Sequence, residues 1–316
     1  MNAGICPRGR RAKQVAKRTV LVGTDWWTDC DDVVAMRVLV WAEKRGMIDI
    51  AAIGINACME HSVASLDAFL TAEGRPNVAI GIDREATDFG GNPPYQRNML
   101  AYPHARTSND EAEDPVRLYR RALAEAAGTV DVIEIGYPQV LAGLLRSPGD
   151  DLSPSTGAEL VAAKVGKLWM MAGNWEDPAG GLENNFARNA RSRAAGSYVC
   201  EHWPTPITFL GWETANEILT GGTLPPSDIV AQALRDHGSA NGRSSWDPML
   251  VLLACIGDEE GAGYGRVFGT ARVDAETGKN RFVAAPDGKH AYVTKARKNE
   301  YYRDAIDRIL EEVHKR

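Results

Sequence analysis

No uninterrupted apolar run approaches the roughly 18 residues that a membrane-spanning helix needs, which argues against an integral membrane protein. Cysteine is scarce. The five present, Cys6, Cys30, Cys58, Cys200 and Cys255, are odd in number and widely spaced, so no disulfide framework is expected and a reducing, cytoplasmic setting fits. Cys30, Cys58 and Cys255 lie among apolar neighbours and are expected to serve as small core residues. Basic charge is not in excess either: 36 Lys and Arg against 42 Asp and Glu give a net charge of −6, which offers nothing for a nucleic-acid surface. Repeats, low-complexity tracts and interdomain linkers are absent as well.

The chain is therefore expected to form one domain over 19–316, long enough to bury a large core. Residues 1–18 stand apart as a basic arm, with Arg8, Arg10, Arg11, Lys13, Lys17 and Arg18 and without the apolar segment of a secretory signal. Such an arm is expected to be disordered and solvated. A transit peptide is the weaker alternative, since no amphipathic stripe runs through it.

What is present is an alternation of short apolar runs with helical periodicity. Val20-Leu21-Val22, 48–55, 78–82, 130–135, 168–172 and 207–210 read as strands, and helical stretches separate them, at 63–73, 115–127, 139–145, 156–164 and 190–201 among others. Strand-like pieces near 265–273, 282–285 and 291–294 precede a closing amphipathic helix at 301–313. The expected fold class is α/β: an open, mostly parallel sheet flanked by helices, with right-handed crossovers and a Rossmann-like core. Residues 83–113 carry Gly90-Gly91-Asn92-Pro93-Pro94 and little periodicity, which fits a lid or substrate loop better than a linker. His104 falls in that segment and is expected at the surface, with contact to a ligand as the alternative.

The first apolar run leads into Asp25-Trp26-Trp27-Thr28-Asp29-Cys30-Asp31-Asp32, four acids within eight residues at a strand-to-helix turn. Two like charges about 4 Å apart repel by roughly 4 kcal/mol at an effective dielectric near 20, so the cluster needs something positive in it. A helix N-terminus, which favours Asp as cap and dipole partner, accounts for one or two of the acids. Oxygen ligands at this density suit a hard cation, Ca²⁺ or Mg²⁺, better than zinc.

A second polar stretch, Gly173-Asn174-Trp175-Glu176-Asp177 through Gly181-Leu182-Glu183-Asn184-Asn185, follows the C-terminal end of a strand, where open α/β sheets bind ligands. Taken alone it reads equally well as a polar surface loop. Asp247, before Pro248 and the apolar helix that begins at Met249, reads locally as an N-cap.

Together these stretches resemble the inosine-uridine preferring nucleoside hydrolase family, over residues 19–312. The acidic turn matches its N-terminal signature in the longer form, Asp-x-x-x-Asp-x-Asp-Asp. The resemblance implies a Ca²⁺ ion at the C-terminal sheet edge that binds the ribose 2′- and 3′-hydroxyls and the attacking water. Asp25, Asp32 and Asp247 match its carboxylate ligands, and the backbone of Gln139, in Gly136-Tyr137-Pro138-Gln139-Val140, matches its carbonyl ligand. Sugar contacts would come from Asn56, from Asp31 or Asp29 and from Glu183 and Asn185, with Asn174 in the loop of a further family Asn.

The implied reaction is hydrolysis of a ribonucleoside to free base and ribose. The transition state is oxocarbenium-like, Asp25 acts as general base, and the surrounding carboxylates favour the cationic sugar. The resemblance also implies a homodimer or homotetramer and a small-molecule nucleoside or N-glycoside as partner, without nucleic acid or membrane. One departure stands out: the family places a His before the late Asp, and here that position is Trp246. Indole cannot protonate a leaving base but can stack on one, so the acid would be another group, His104 or His237, or stacking would replace it. Of the tryptophans on site loops, Trp246 and then Trp175 are the expected ligand contacts. Other readings are hydrolysis of a modified nucleoside or another N-glycoside, and a sugar-binding protein that has lost turnover. A Mg²⁺ phosphohydrolase with an Asp nucleophile is disfavoured, because the second Asp such enzymes need two residues on is Trp27.

Overall fold

The computed structural model describes residues 17–27, 29–91, 93–177 and 179–314. In chain order the elements are β1 (Arg18–Thr24), α1 (Asp31–Lys44), β2 (Ile48–Ile55), α2 (Ser62–Ala72), β3 (Ile80–Ile82), α3 (Pro94–Met99), α4 (Pro115–Glu125), β4 (Val130–Glu134), α5 (Gln139–Arg146), α6 (Gly157–Lys164) and β5 (Val165–Met171). The second half adds α7 (Asn184–Ala187), α8 (Ala190–His202), β6 (Ile207–Leu210), α9 (Trp212–Ala215), β7 (Leu219–Thr220), α10 (Ile229–His237), β8 (Arg243–Ser244), α11 (Trp246–Ile256), β9 (Tyr264–Val273), β10 (Asn280–Ala284), β11 (His290–Lys295) and α12 (Asn299–His314).

Nine strands form one sheet in the order β10-β9-β11-β6-β5-β4-β1-β2-β3. From β11 to β3 every neighbouring pair is parallel, and β9 and β10 add an antiparallel edge. The fold is thus the α/β, mostly parallel sheet that the alternation of apolar runs implied.

Period-two alternation distributes the core over both faces of the sheet. Val20, Val22, Ile133, Trp169 and Met171 face the layer of α1, α2, α10, α11 and α12, whereas Leu21, Val132, Leu168 and Met170 face that of α4, α5, α6 and α8. All nine of these residues are buried, so both faces are dry, as a parallel sheet requires.

The order also locates a crevice. From β1 the chain moves outward through β2 and β3, then returns to β4 on the other side of β1 and proceeds through β5 to β6. The connections leaving β1 and β4 therefore diverge at their C-terminal ends, which is the switch point where such sheets bind ligands.

Two boundaries differ from expectation. Arg18, assigned to the basic arm, opens β1: its guanidinium pairs with Asp131 at 2.7 Å and donates to the carbonyls of Ala254 and Cys255. Residues 1–16 of the arm lie outside the described residues. The segment 83–113 is not structureless, for it contains α3 and a short 3₁₀ turn, Asn109–Glu111. Its apolar residues Phe89, Tyr95 and Met99 are buried, which accounts for its order despite weak periodicity. No helix among the described residues is long and apolar enough to cross a membrane.

Candidate active site

The acidic turn joins the end of β1 to α1 through an unusual backbone. Trp26 has φ 45°, a left-handed conformation that costs a non-glycine residue on the order of 1–3 kcal/mol. Its fully buried indole holds it there, donating to Ser65 Oγ at 2.9 Å and packing edge-on against Tyr95. The Tyr95 hydroxyl in turn donates to the Trp27 carbonyl at 2.6 Å. Core packing thus fixes the turn.

That geometry gathers the acids. One oxygen each from Asp31, Asp32 and Asp247 lie within 4.8 Å of one another, all three residues being buried. Asp247 is brought from the far end of the chain by packing of α11 on α1, and its backbone N–H donates to Asp31 Oδ2 at 3.0 Å. Asp32 accepts from Thr24 Oγ1 and from the Trp26 N–H. Asp25, also buried, accepts from the Trp27 N–H at 3.1 Å and borders the trio. Burial raises the Asp25 carboxyl to about 8, with Asp29 and Asp31 adding to the shift. Burial first, and then neighbouring acids, hold Asp31, Asp32 and Asp247 well above the usual carboxylate range.

No ion pair among the described residues reaches any of these four carboxylates. Arg243 is the nearest candidate, but its fork is engaged by Asp29, at 2.8 and 2.6 Å. That pairing outweighs burial and lowers the Asp29 carboxyl. A compact set of buried oxygens without an internal counter-cation fits a hard divalent ion.

The acids floor a cavity of about 700 Å³ whose walls come from the ends of β4 and β5, from Phe89 to Gly91, from the loop carrying Glu183 and from Trp212 at the start of α9. Glu183 and Asn185 line it as expected. Glu183 accepts from the N–H groups of Gly173 and Asn185, and burial raises it to about 7. Asn185 is oriented by donation to the Met171 carbonyl at 2.9 Å. Trp246 lines the cavity too, its Nε1 donating to the Trp212 carbonyl and its ring lying 5.2 Å from the Arg243 guanidinium.

Five other expected residues lie outside the cavity lining. Asn56 is wholly buried and consumed by the core: it donates to Glu134 at 2.8 Å and accepts from the Tyr137 N–H at 2.9 Å. The backbone passes so close here that a Cβ on Gly136 would meet Asn56 Oδ1 at 2.5 Å. Gln139 opens α5 and sends its amide to the Asn56 carbonyl, and Ile135 is the residue beyond β4 that reaches the cavity instead. Asn174 is clamped through its backbone by the Asn280 side chain, and Trp175 packs into the aromatic cluster of Phe186, Phe209 and Phe282. His104 is absent from the lining as well, and its Nδ1 meets the Tyr102 carbonyl.

Sequence reasoning passed over Trp27, Phe89, Arg188, Trp212 and Arg243, all of which line the cavity. Arg188 lies 4.4 Å from the Trp27 ring centre and donates to the Phe89 carbonyl. For Trp27 the available signal was its place inside the acidic turn. The others come from scattered segments whose convergence only the fold defines.

Neither a known family profile nor a curated protein sequence matches the chain. Solved structures do. An inosine-uridine preferring nucleoside hydrolase from Bacillus anthracis superposes with a TM-score of 0.66 at 12% identity, over 93% of this chain and 99% of the other. The fold is that of the nucleoside hydrolases. A plant nucleoside hydrolase, PpNRh1, gives 0.65 at 14% identity over 94% and 98%. The type III effector XopQ, in complex with adenosine diphosphate ribose, gives 0.67 at 14% over 95% of each chain. Within this nucleoside hydrolase fold, the acid cluster sits at the C-terminal edge of the central strands.

Proposed function

We propose that this protein is a metal-dependent hydrolase of N-glycosidic bonds, with a ribonucleoside as substrate. The observation that carries the reading is the convergence of Asp25, Asp31, Asp32 and Asp247, buried and without an ion-pair partner among the described residues, at the switch point of the sheet. A divalent cation, calcium by the family resemblance, would be held by Asp25, Asp32 and Asp247 and would supply positive charge to the sugar diol and to water.

The chain's own residues then divide the work. Asp25, which a bound cation would hold in its ionised form, accepts a proton from the attacking water as that water's oxygen bonds to C1′. Asp31 has one oxygen on the Asp247 N–H and keeps acceptor capacity for a sugar hydroxyl. Glu183 and Asn185 wall the sugar side, and the buried acids favour positive charge that develops on the ring. Trp246 offers an aromatic wall to the base, its edge pinned by the Trp212 carbonyl.

A second reading, a binding protein without turnover, is favoured by Trp246 standing where the resembling family has an acid. Incubation with a panel of purine and pyrimidine ribonucleosides, followed by chromatography of the base and a reducing-sugar assay, separates the two. Equimolar base and ribose support hydrolysis. Binding without products, including binding of adenosine diphosphate ribose, the ligand of the similar XopQ structure, supports the alternative.

A further inference from the structure

Breaking a C–N bond to a purine or pyrimidine leaves negative charge on the base, which a proton donor relieves. The cavity lining limits the candidates. Trp27, Trp212 and Trp246 are not acids, and Arg188 and Arg243 do not release protons near neutrality. Glu183 uses both carboxylate oxygens on backbone N–H groups. Asp29 is kept ionised by the Arg243 fork, and the remaining acids form the buried cluster on the sugar side. His237 remains.

Its surroundings suit the role. His237 is the last residue of α10, where the negative end of the helix dipole favours an imidazolium. Its Nδ1 lies 2.9 Å from Ser239 Oγ, and its other ring nitrogen has no hydrogen-bond partner among the described residues. A ring nitrogen sits within 4.8 Å of both an Asp29 carboxylate oxygen and the Cys30 sulfur. Asp29, fixed by Arg243, is thus a charged neighbour that stabilises the protonated ring, while partial burial draws its pKa below the ordinary histidine value. The result is an imidazole near the cavity wall that gives its proton up readily.

Resting on the hydrolase reading above, we propose that His237 is the acid that protonates the departing base, in place of the residue replaced by Trp246. The C1′–N bond breaks with its electron pair going to the base, and the base takes the His237 proton. The water oxygen bonds to C1′, one water proton passes to Asp25 and the other stays on the new sugar hydroxyl. Solvent then takes the proton from Asp25 and reprotonates the imidazole, which restores both groups. Asp29 and Arg243 are positioning residues for this step.

The test compares two leaving groups in the full-length protein with calcium: inosine, whose base needs a proton, and p-nitrophenyl riboside, whose nitrophenolate does not. His237→Ala and His237→Asn are each expected to lose about 100-fold or more in kcat on inosine and less than tenfold on the aryl riboside. His237→Asn keeps a hydrogen-bond donor without a transferable proton, so its agreement with His237→Ala separates proton transfer from structural support. Equal losses on both substrates, or no loss on inosine, overturn the assignment. A wild-type protein that cleaves neither substrate removes the hydrolase reading, and the proposal falls with it.

Discussion

Replacing Asp247 by Asn should make the protein more stable without calcium and less stable with it. Asp247 contributes two of the three carboxylate pairs in the trio, each at 4.8 Å or less. At 4.8 Å a pair of full charges repels by about 3.5 kcal/mol at an effective dielectric near 20, so about 7 kcal/mol or more is relieved at full ionisation. Proton uptake by the raised carboxyls absorbs much of this, and a gain of about 1–2 kcal/mol at pH 9 in chelator is the expected remainder. With calcium at about 100 times its dissociation constant, the wild type gains about 2.7 kcal/mol and the variant gains little. At about 2 °C per kcal/mol for a domain of this size, the wild-type melting temperature rises by about 5 °C. Differential scanning calorimetry of both proteins, with chelator and with calcium, reads the crossing directly. A variant destabilised equally under both conditions would refute the reasoning, because Asp247 would then be a helix cap and nothing more.

The metal-free wild type should lose stability as pH rises. Asp25 titrates at about 8 when folded and near 3.9 when unfolded, so the stability from its neutral buried form is complete below about 4 and is lost as pH rises through about 8. Urea midpoints in chelator from pH 5 to 9 check this, and a midpoint rising with pH contradicts it. Asp25→Asn should lower kcat by about 100-fold or more while the protein stays folded; substantial retained hydrolysis removes Asp25 as the base. Asn56→Ala should cost about 2–3 kcal/mol in stability, because Glu134 and the Tyr137 N–H both lose a buried partner. A variant of unchanged stability with only a raised KM would restore Asn56 to the sugar site.

The fold was legible because its information is local. Short apolar runs such as Ile207–Leu210 read as strands since both faces of a parallel sheet are buried, and helices between them left few topologies. The antiparallel edge was visible only as pieces: β9 alternates exposed and buried residues from Phe268 to Val273, a pattern that marks a half-covered strand without naming its neighbours.

The site divides along the same line. Asp25, Asp31 and Asp32 crowd one turn, so their mutual repulsion is evident before folding. Asn56 and Gln139 stand at equally suggestive places, beyond strand ends, yet the buried Glu134 carboxyl draws the Asn56 amide away from the cavity. Whether a polar side chain serves a ligand or a neighbour depends on which unpaired groups surround it. Arg188, Trp212 and Arg243 lie on three separate segments, and nothing local marks them as wall residues.

A divalent ion that links the acid cluster to a sugar diol is the centre of the proposed chemistry. Calorimetric titration of calcium into chelator-stripped protein, with and without ribose, tests that link most directly. One ion per chain is predicted, bound more tightly when ribose is present because each ligand raises the affinity of the other by the same factor. Calcium binding that ignores ribose, or no binding at all, would contradict the account.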